Sequence, residues 1–452
     1  METFKLSVQP AARRVRNFSE VVLGLSKRQA VEQARLYLQR EGAEQGQGCP
    51  LGTDVFGFLR CLAAGDIDGA YRVIEPANFF PSVTGRLMAE PYQQVQVFTR
   101  KGEMVSVRQL ERFIGDHKPR LSPRPVDEKK PRVAVVGSGP AGLSAAAGLA
   151  RKGYPVTVFE SMSRPGGVLR YGYPEFRLPQ AVVDRALDDV SSLGVRFIIN
   201  CFIGTTRGVE ELLSQGFQAV YLATGAGLSR MLGVEGENLP GVMYGEEFLM
   251  KVNLLEACRG GAETDLGVGR NVVVIGAGNA AFDCARVCLR LGAAVKLIAK
   301  WTRDDFAVRS FIVEQAQEEG LEYELLTSTV GFLPDRRGFL GKVRCRRYDY
   351  ADAREDGKWE LAEVPDSDFD IPADTAIVAI GHLANNLAVR NTGGVKTRKD
   401  GRVQTRKQSS MTDVEGVFAG GNVVDGPGPL VGAMLSSRQA VEDIDRFLQG
   451  RG

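Results

Sequence analysis

The sequence predicts an α/β protein: two Rossmann-like nucleotide-binding domains preceded by an α-helical N-terminal domain. Three observations carry that reading. Arg132-Val-Ala-Val-Val-Gly137-Ser-Gly139-Pro-Ala-Gly142 is a glycine-rich turn between a short apolar run and an alanine-rich stretch. Asn271-Val-Val-Val-Ile-Gly276-Ala-Gly278-Asn-Ala-Ala281 repeats the design downstream. Ahead of both, Leu25 to about Phe113 is mainly helix-forming, and the segment from His117 to Pro131, dense in proline and charge, reads as a linker.

Each element follows from local pattern. Lys27 to Arg40 is rich in good helix formers, and Thr53-Asp54 can cap the apolar run from Val55 to Leu59. Val133–Val136 reads as a buried strand, Leu143–Lys152 as a helix and Pro155–Phe159 as the next strand. The same order recurs at Val272–Ile275, Ala280–Leu291 and Val295–Ala299. The chain therefore repeats a βαβ unit. Asp352 to Asp370 is acidic and turn-rich, as expected of an exposed hairpin or loop in the second unit. The expected domains are 1–120, helical; 130–245 with 386–452, the first nucleotide-binding domain; and 246–385, the second.

Composition narrows the function. With 44% hydrophobic and 25% charged residues the chain is of ordinary soluble globular type. A net charge of +2 gives no reason to expect nucleic acid or an anionic membrane as partner. The N-terminus lacks the apolar core of a signal peptide, and no apolar run is long enough for a membrane span. Seven scattered cysteines favour a reduced, cytoplasmic setting. With only His117 and His382, a zinc site or a histidine triad is not expected. There is no Cys-x-x-Cys, so thiol–disulfide exchange is disfavoured, and Cys284 and Cys288 read as packing residues.

The two fingerprints carry chemistry. Gly137 permits the turn, Gly139 lets the backbone reach a pyrophosphate, and Gly142 lets helix and strand pack closely. The helix N-terminus offers unpaired amides and a positive dipole end. Glu160 stands where a carboxylate would bind ribose hydroxyls. The second fingerprint has no such acid; its strand ends Ala299-Lys300-Trp301-Thr302-Arg303. Lys300 and Arg303 could neutralise a 2′-phosphate, which points to NADPH rather than NADH. Two nucleotides face to face are the arrangement needed to pass a hydride from a nicotinamide to a flavin.

The chain resembles the small-subunit family of glutamate synthase, which includes the flavin-containing half of dihydropyrimidine dehydrogenase. The resemblance rests on Arg16-Asn17-Phe18-Ser-Glu20-Val, Gly48-Cys49-Pro50, Asn78 with Pro81, Gly85-Arg86 and Leu110-Glu111-Arg112-Phe113-Ile. It continues through Pro165-Gly166-Gly167-Val-Leu-Arg170-Tyr171-Gly-Tyr-Pro174-Glu175-Phe176-Arg177-Leu178-Pro179, Ala223-Thr224-Gly225, Ala379-Ile-Gly381 and Gly416-Val-Phe-Ala-Gly420-Gly421-Asn422. It implies FAD on the first half, NADPH (or NADH) on the second, and electrons leaving through iron–sulfur clusters in the helical domain. Flavin contacts carried over are Gly137, Gly139, Ala141, Gly142, Glu160, Gly167, Arg177, Gly421 and Asn422. The nicotinamide cofactor would take Gly276, Gly278, Asn279, Ala280, Lys300 and Arg303. No proton-transferring catalytic residue is expected, because hydride transfer needs alignment.

The sequence departs from that family where the cluster ligands belong: Leu36, Gln39, Gln45, Met88, Gln94 and Phe98 stand in place of cysteines, and of the set only Cys49 survives. One thiol cannot hold a cluster, so no metal is expected and the helical domain reads as a docking platform for a redox partner. Lys300-Trp301 replaces paired arginines, and Asn422 replaces an aspartate. The leading expectation is an FAD-dependent NAD(P)H oxidoreductase working as a subunit of a redox complex. The alternatives are a scaffold that keeps FAD for structure, and a glutamate synthase small subunit.

Overall fold

The computed structural model describes residues 7–39, 49–87, 97–98, 104–123, 125–257, 266–306, 308–351, 360–390 and 392–450. Arg40, Gln45, Met88, Gln94 and residues 352–359 lie outside the described residues.

Each fingerprint strand sits at the middle of its own parallel five-stranded sheet. Arg132–Val136 lies between Val156–Phe159 and Phe217–Leu222, with Arg196–Ile198 and Val417–Ala419 at the edges. Asn271–Ile275 lies between Ala294–Ile298 and Thr375–Val378, with Glu322–Glu324 and Val242–Tyr244 at the edges. The central strands are continuous apolar runs because helices cover both faces of such a sheet. Val133, Val135, Val272 and Val274 are accordingly buried. The fingerprint helices are Pro140–Arg151 and Asn279–Arg290. The first begins a turn earlier than the sequence pattern suggests, because Pro140 fits the first helical position.

The chain crosses between the sheets twice. Leu228–Ser229 leads out of the first, and His382–Leu383 leads back, pairing antiparallel with it. Thr224 Oγ1 donates to Asn385 O at 2.5 Å, and Asn385 N donates to Gly225 O at 2.9 Å. The outgoing chain enters the second sheet earlier than the expected border at residue 245. Val242–Tyr244 already pairs with Thr375–Val378, since three ladder positions satisfy backbone groups that the first sheet does not reach.

From residue 360 on, the acidic segment takes the hairpin form of the two expected. Leu361–Glu363 and Phe369–Pro372 both pair antiparallel with the long strand Leu340–Tyr350, which also pairs with Thr327–Pro334. The acidic side chains are matched across the ladder: Arg346 Nε binds Asp368 at 2.6 Å, and Arg344 Nε binds Asp370 at 3.1 Å.

The helical domain contains Lys27–Leu38, Val55–Ala63, Ile67–Ile74, Pro81–Leu87 and Val107–His117, with a small ribbon of Val97–Phe98 on Met104–Val105. Asp54, rather than Thr53, caps its helix by accepting from Gly57 N at 2.8 Å. Tyr37, Phe58, Leu62, Ile74 and Phe113 share one apolar core with Leu143, Leu149 and Val441, so this domain and the first sheet are welded together. The expected linker is anchored at its start: Lys118 is buried and pairs with Asp189 at 2.7 Å.

Candidate functional site

The first site is built by close approach of backbone. Gly137, at φ 100°, donates from N to Phe159 O at 2.8 Å, and a Cβ there would stand 2.6 Å from Ala223 O. A Cβ on Gly142 would stand 1.9 Å from Gly137 O, so helix and turn touch with nothing between. Gly139 is the opposite case. A Cβ there meets nothing within 4 Å, and no side chain caps the helix it begins. An uncapped helix start with open space on the side-chain side of its first residue is what a pyrophosphate needs.

Glu160 reaches this turn from the end of the neighbouring strand and is buried. Ser138 donates to it from N at 3.1 Å and from Oγ, while Met162 N donates at 2.9 Å to its other oxygen. Ser138 Oγ also accepts from Gly166 N at 2.8 Å. Gly167, at φ 52°, lies so close that its Cβ would be 2.6 Å from Gly139 Cα. The Pro165–Pro179 segment is thus laid directly over the fingerprint turn.

A second helix N-terminus arrives at the same place. A Cβ on Gly421 would be 2.7 Å from Ala141 Cβ and 3.8 Å from Ala433 Cβ. Ala141 and Ala433 lie in the first turns of Pro140–Arg151 and Leu430–Leu448, neither of which has a side-chain cap. Half-buried Asn422 follows Gly421 at the head of a short helix. Two positive helix ends with unpaired amides therefore converge. Sequence reasoning missed Ser138 and the 430–448 helix end. The signal for the latter was Gly426-Pro427-Gly428-Pro429 ahead of an apolar helical pattern.

The second site repeats the device. Gly276, at φ 136°, donates to Ile298 O at 3.0 Å, and its Cβ would be 2.3 Å from Ala379 O. Gly278 begins the helix with no side-chain cap and open space around it. Asn279 is exposed and Ala280 half-buried at the helix start. Ala281 stands where the first site has Gly142, and a Cβ on Gly276 would sit 3.4 Å from its methyl.

Lys300 and Arg303 are both exposed at the end of the adjoining strand, but they do not point alike. Lys300 Nζ lies 4.2 Å from the centre of the Tyr348 ring. Arg303 begins a short turn closed by Thr302 and Asp305, with Tyr350 Oη donating to Asp305 at 2.9 Å. Trp301, between them, is 48% exposed.

Arg177, one of the expected flavin contacts, reaches across to the second half. Arg177 Nη1 pairs with Asp283 Oδ2 at 2.5 Å, on the second fingerprint helix. Burial pushes the Asp283 carboxyl up, against the pull of the Arg177, Arg286 and Arg290 charges. Arg177 thus ties the segment over the first site to the helix of the second. Its motif neighbour Phe176 explains the choice, since that ring is buried under Arg286 and Arg290 and draws the segment toward the second half.

Both turns fit a dinucleotide: the open cradles at Gly139 and Gly278 would take pyrophosphates, and Glu160 stands beside the first. The helical domain does not fit an iron–sulfur cluster. Residues 14–122 contain only Cys49 and Cys61, and no group of three His, Cys, Asp or Glu among the described residues could hold a metal. Cys284 and Cys288 are buried, and burial raises both thiols, as befits packing residues. Among the described residues no helix is long and apolar enough to cross a membrane.

Comparison with known proteins agrees with this geometry. Residues 131–437 match the model of the pyridine nucleotide-disulphide oxidoreductase family, and residues 14–122 match that of dihydropyrimidine dehydrogenase domain II, 4Fe-4S cluster. The NADPH-Fe(3+) oxidoreductase subunit beta of Geobacter sulfurreducens is 32% identical over 432 residues, covering 89% of this chain and 63% of that protein. The chain thus spans less than two thirds of that relative's length. The glutamate synthase [NADPH] small chain of Azospirillum brasilense is 30% identical over 463 residues, covering 98% of this chain and 94% of that one. Mycobacterium tuberculosis FprA in complex with NADPH shares the fold, with a TM-score of 0.58 at 18% identity over 71% of this chain and 85% of that one. The chain belongs to the pyridine nucleotide-disulphide oxidoreductase family, whose members bind FAD and NAD(P)H.

Proposed function

We propose that this chain is an FAD-dependent NAD(P)H oxidoreductase and serves as one subunit of a redox complex. The observation that carries the proposal is the pair of open, uncapped helix N-termini at Gly139 and Gly278, tied together through Arg177 and Asp283. In this reading residues 130–241 with 386–452 hold FAD, and 242–385 hold the nicotinamide nucleotide. When bound, the two cofactors supply hydride chemistry that needs no protein acid or base.

The residues of the chain bind and orient. The amides after Gly139 and the end of the 430–448 helix would hold the anionic parts of FAD, and Glu160 would accept from its ribose. Gly167, Gly421 and Asn422 close around it. The amides after Gly278, with Asn279 and Ala280, face the second pyrophosphate. Arg303, and Lys300 after swinging off Tyr348, meet a 2′-phosphate, so NADPH is the preferred donor. Two named relatives support this, an NADPH-Fe(3+) oxidoreductase subunit and an NADPH glutamate synthase small chain. The partner docks on the helical domain, and the setting is cytoplasmic, in keeping with scattered thiols.

Anaerobic addition of NADPH to the FAD-loaded protein should bleach the flavin absorbance within the mixing time of a stopped-flow instrument. A flavin that stays oxidised under both NADPH and NADH ends this reading. That result would favour a scaffold keeping FAD for structure, an alternative to which exposed Trp301 in place of a family arginine lends support.

A further inference from the structure

The helical domain matches a model named for a 4Fe-4S cluster, yet its chemistry points elsewhere. Such a cluster is held by four thiolates, and residues 14–122 supply Cys49 and Cys61. Cys49 is buried in an apolar core with Leu51, Phe58 and Leu62, and Leu36 packs against that core. The domain closes on hydrocarbon rather than on an inorganic centre.

What the domain does offer is a set of ties. Residues 7–23 form a looped strap, its feet joined where Val8 pairs with Val22, and it touches all three parts of the molecule. At the turn of the loop, Arg14 pairs with Glu319 at 2.8 Å and with Glu318 at 2.5 Å, in the second nucleotide half, and Asn17 O accepts from Arg290 Nε at 3.0 Å. Toward its returning foot, Val21 N donates to Phe176 O, in the first half, at 3.0 Å, and Glu20 receives Arg86 at 2.8 Å and Arg112 at 2.9 Å, both in the helical domain. Arg14, Arg86, Arg112 and Glu319 are at most 6% exposed, so these pairs sit where charge is costly to strand.

We propose that the helical domain is a cluster-free brace. It stores no electrons, and through its strap it fixes the second nucleotide half against the first. The chain then takes up two electrons per bound FAD and no more, and its acceptor must meet the flavin without a relay through this domain. The electron count rests on the flavin reading above; metal content and bracing are measured independently of it.

Protein produced anaerobically alongside iron–sulfur assembly machinery should carry iron and acid-labile sulfide far below one atom per chain. Titration with dithionite, a two-electron donor, should end at about one equivalent per FAD. Iron and sulfide near about four each per chain, or an endpoint well beyond one equivalent, would overturn the proposal. Protein that binds no FAD would sink the flavin reading and leave the iron result standing. For the brace, Arg14→Met frees the strap while Arg286 and Arg290 still neutralise Glu319. Amide exchange in 279–290 and 310–318 should accelerate severalfold, with the first sheet unchanged; unaltered exchange in those helices refutes the brace. Glu20→Gln loosens the strap at its returning foot and gives the same readout should the first variant fail to fold.

Discussion

At the scale of single residues, glycines divide into those that make the fold and those that leave room. Gly137 belongs to the first kind, because its φ of 100° and the carbonyl 2.6 Å from a would-be Cβ exclude a side chain. Gly139 belongs to the second, because nothing lies within 4 Å of where its side chain would begin. Gly137→Ala should therefore destabilise the protein by roughly 1–3 kcal/mol or more, visible in denaturant unfolding. Gly139→Val should leave the thermal midpoint of the FAD-free protein unchanged while FAD content falls to near zero. Normal FAD content in Gly139→Val would show that this space is not the nucleotide path. Both glycines and the different roles expected of them were legible in the sequence; the carbonyl of Ala223 that crowds Gly137 was not, since it lies far away in the chain.

At the scale of elements, each site is a strand, a turn and a helix, plus what a distant element adds. The local trio could be read from spacing and apolar runs. Ser138 as the partner of Glu160, and the 430–448 helix end, could not, because sheet pairing brings them together. The end of Ala294–Ile298 shows the same limit. Lys300 and Arg303 look equivalent in sequence, yet only Lys300 is drawn onto Tyr348 of the antiparallel sheet. Arg303 should then be the stronger determinant of coenzyme choice. Arg303→Ala should raise the KM for NADPH about tenfold, or about 1.4 kcal/mol, and leave that for NADH unchanged, whereas Lys300→Ala should do less. Equal effects on both coenzymes would remove the 2′-phosphate role.

At the scale of the molecule, one buried carboxylate organises the junction. Glu319 accepts from Arg14, Arg286 and Arg290 at distances of 2.6 to 3.1 Å. Burial works to raise its pKa, but the hydrogen bonds and charges of Arg286 and Arg290 win and hold it down to about 2. The folded value lies below the ordinary one near 4.5, so the stabilisation is complete above that pH and lost as pH falls toward 2. Thermal midpoints should accordingly be insensitive to this group from neutral pH to about 5 and drop below it. Glu319→Gln strands the Arg286 and Arg290 guanidinium groups, while Arg14 keeps Glu318, and should cost about 3–5 kcal/mol at neutral pH. A loss below about 1 kcal/mol would mean that the arginines find other partners.

The sequence by itself determined two βαβ units, their glycine turns, Glu160 and the missing cluster thiols. All of these are local patterns, set by strand and helix periodicity or by side-chain chemistry. Tertiary structure decided that Val242–Tyr244 joins the second sheet, the antiparallel sheet under Lys300, the tie from Arg177 to Asp283 and the strap that reaches Glu319. Each depends on which distant residues packing brings within hydrogen-bonding reach, and chain order carries no record of that distance.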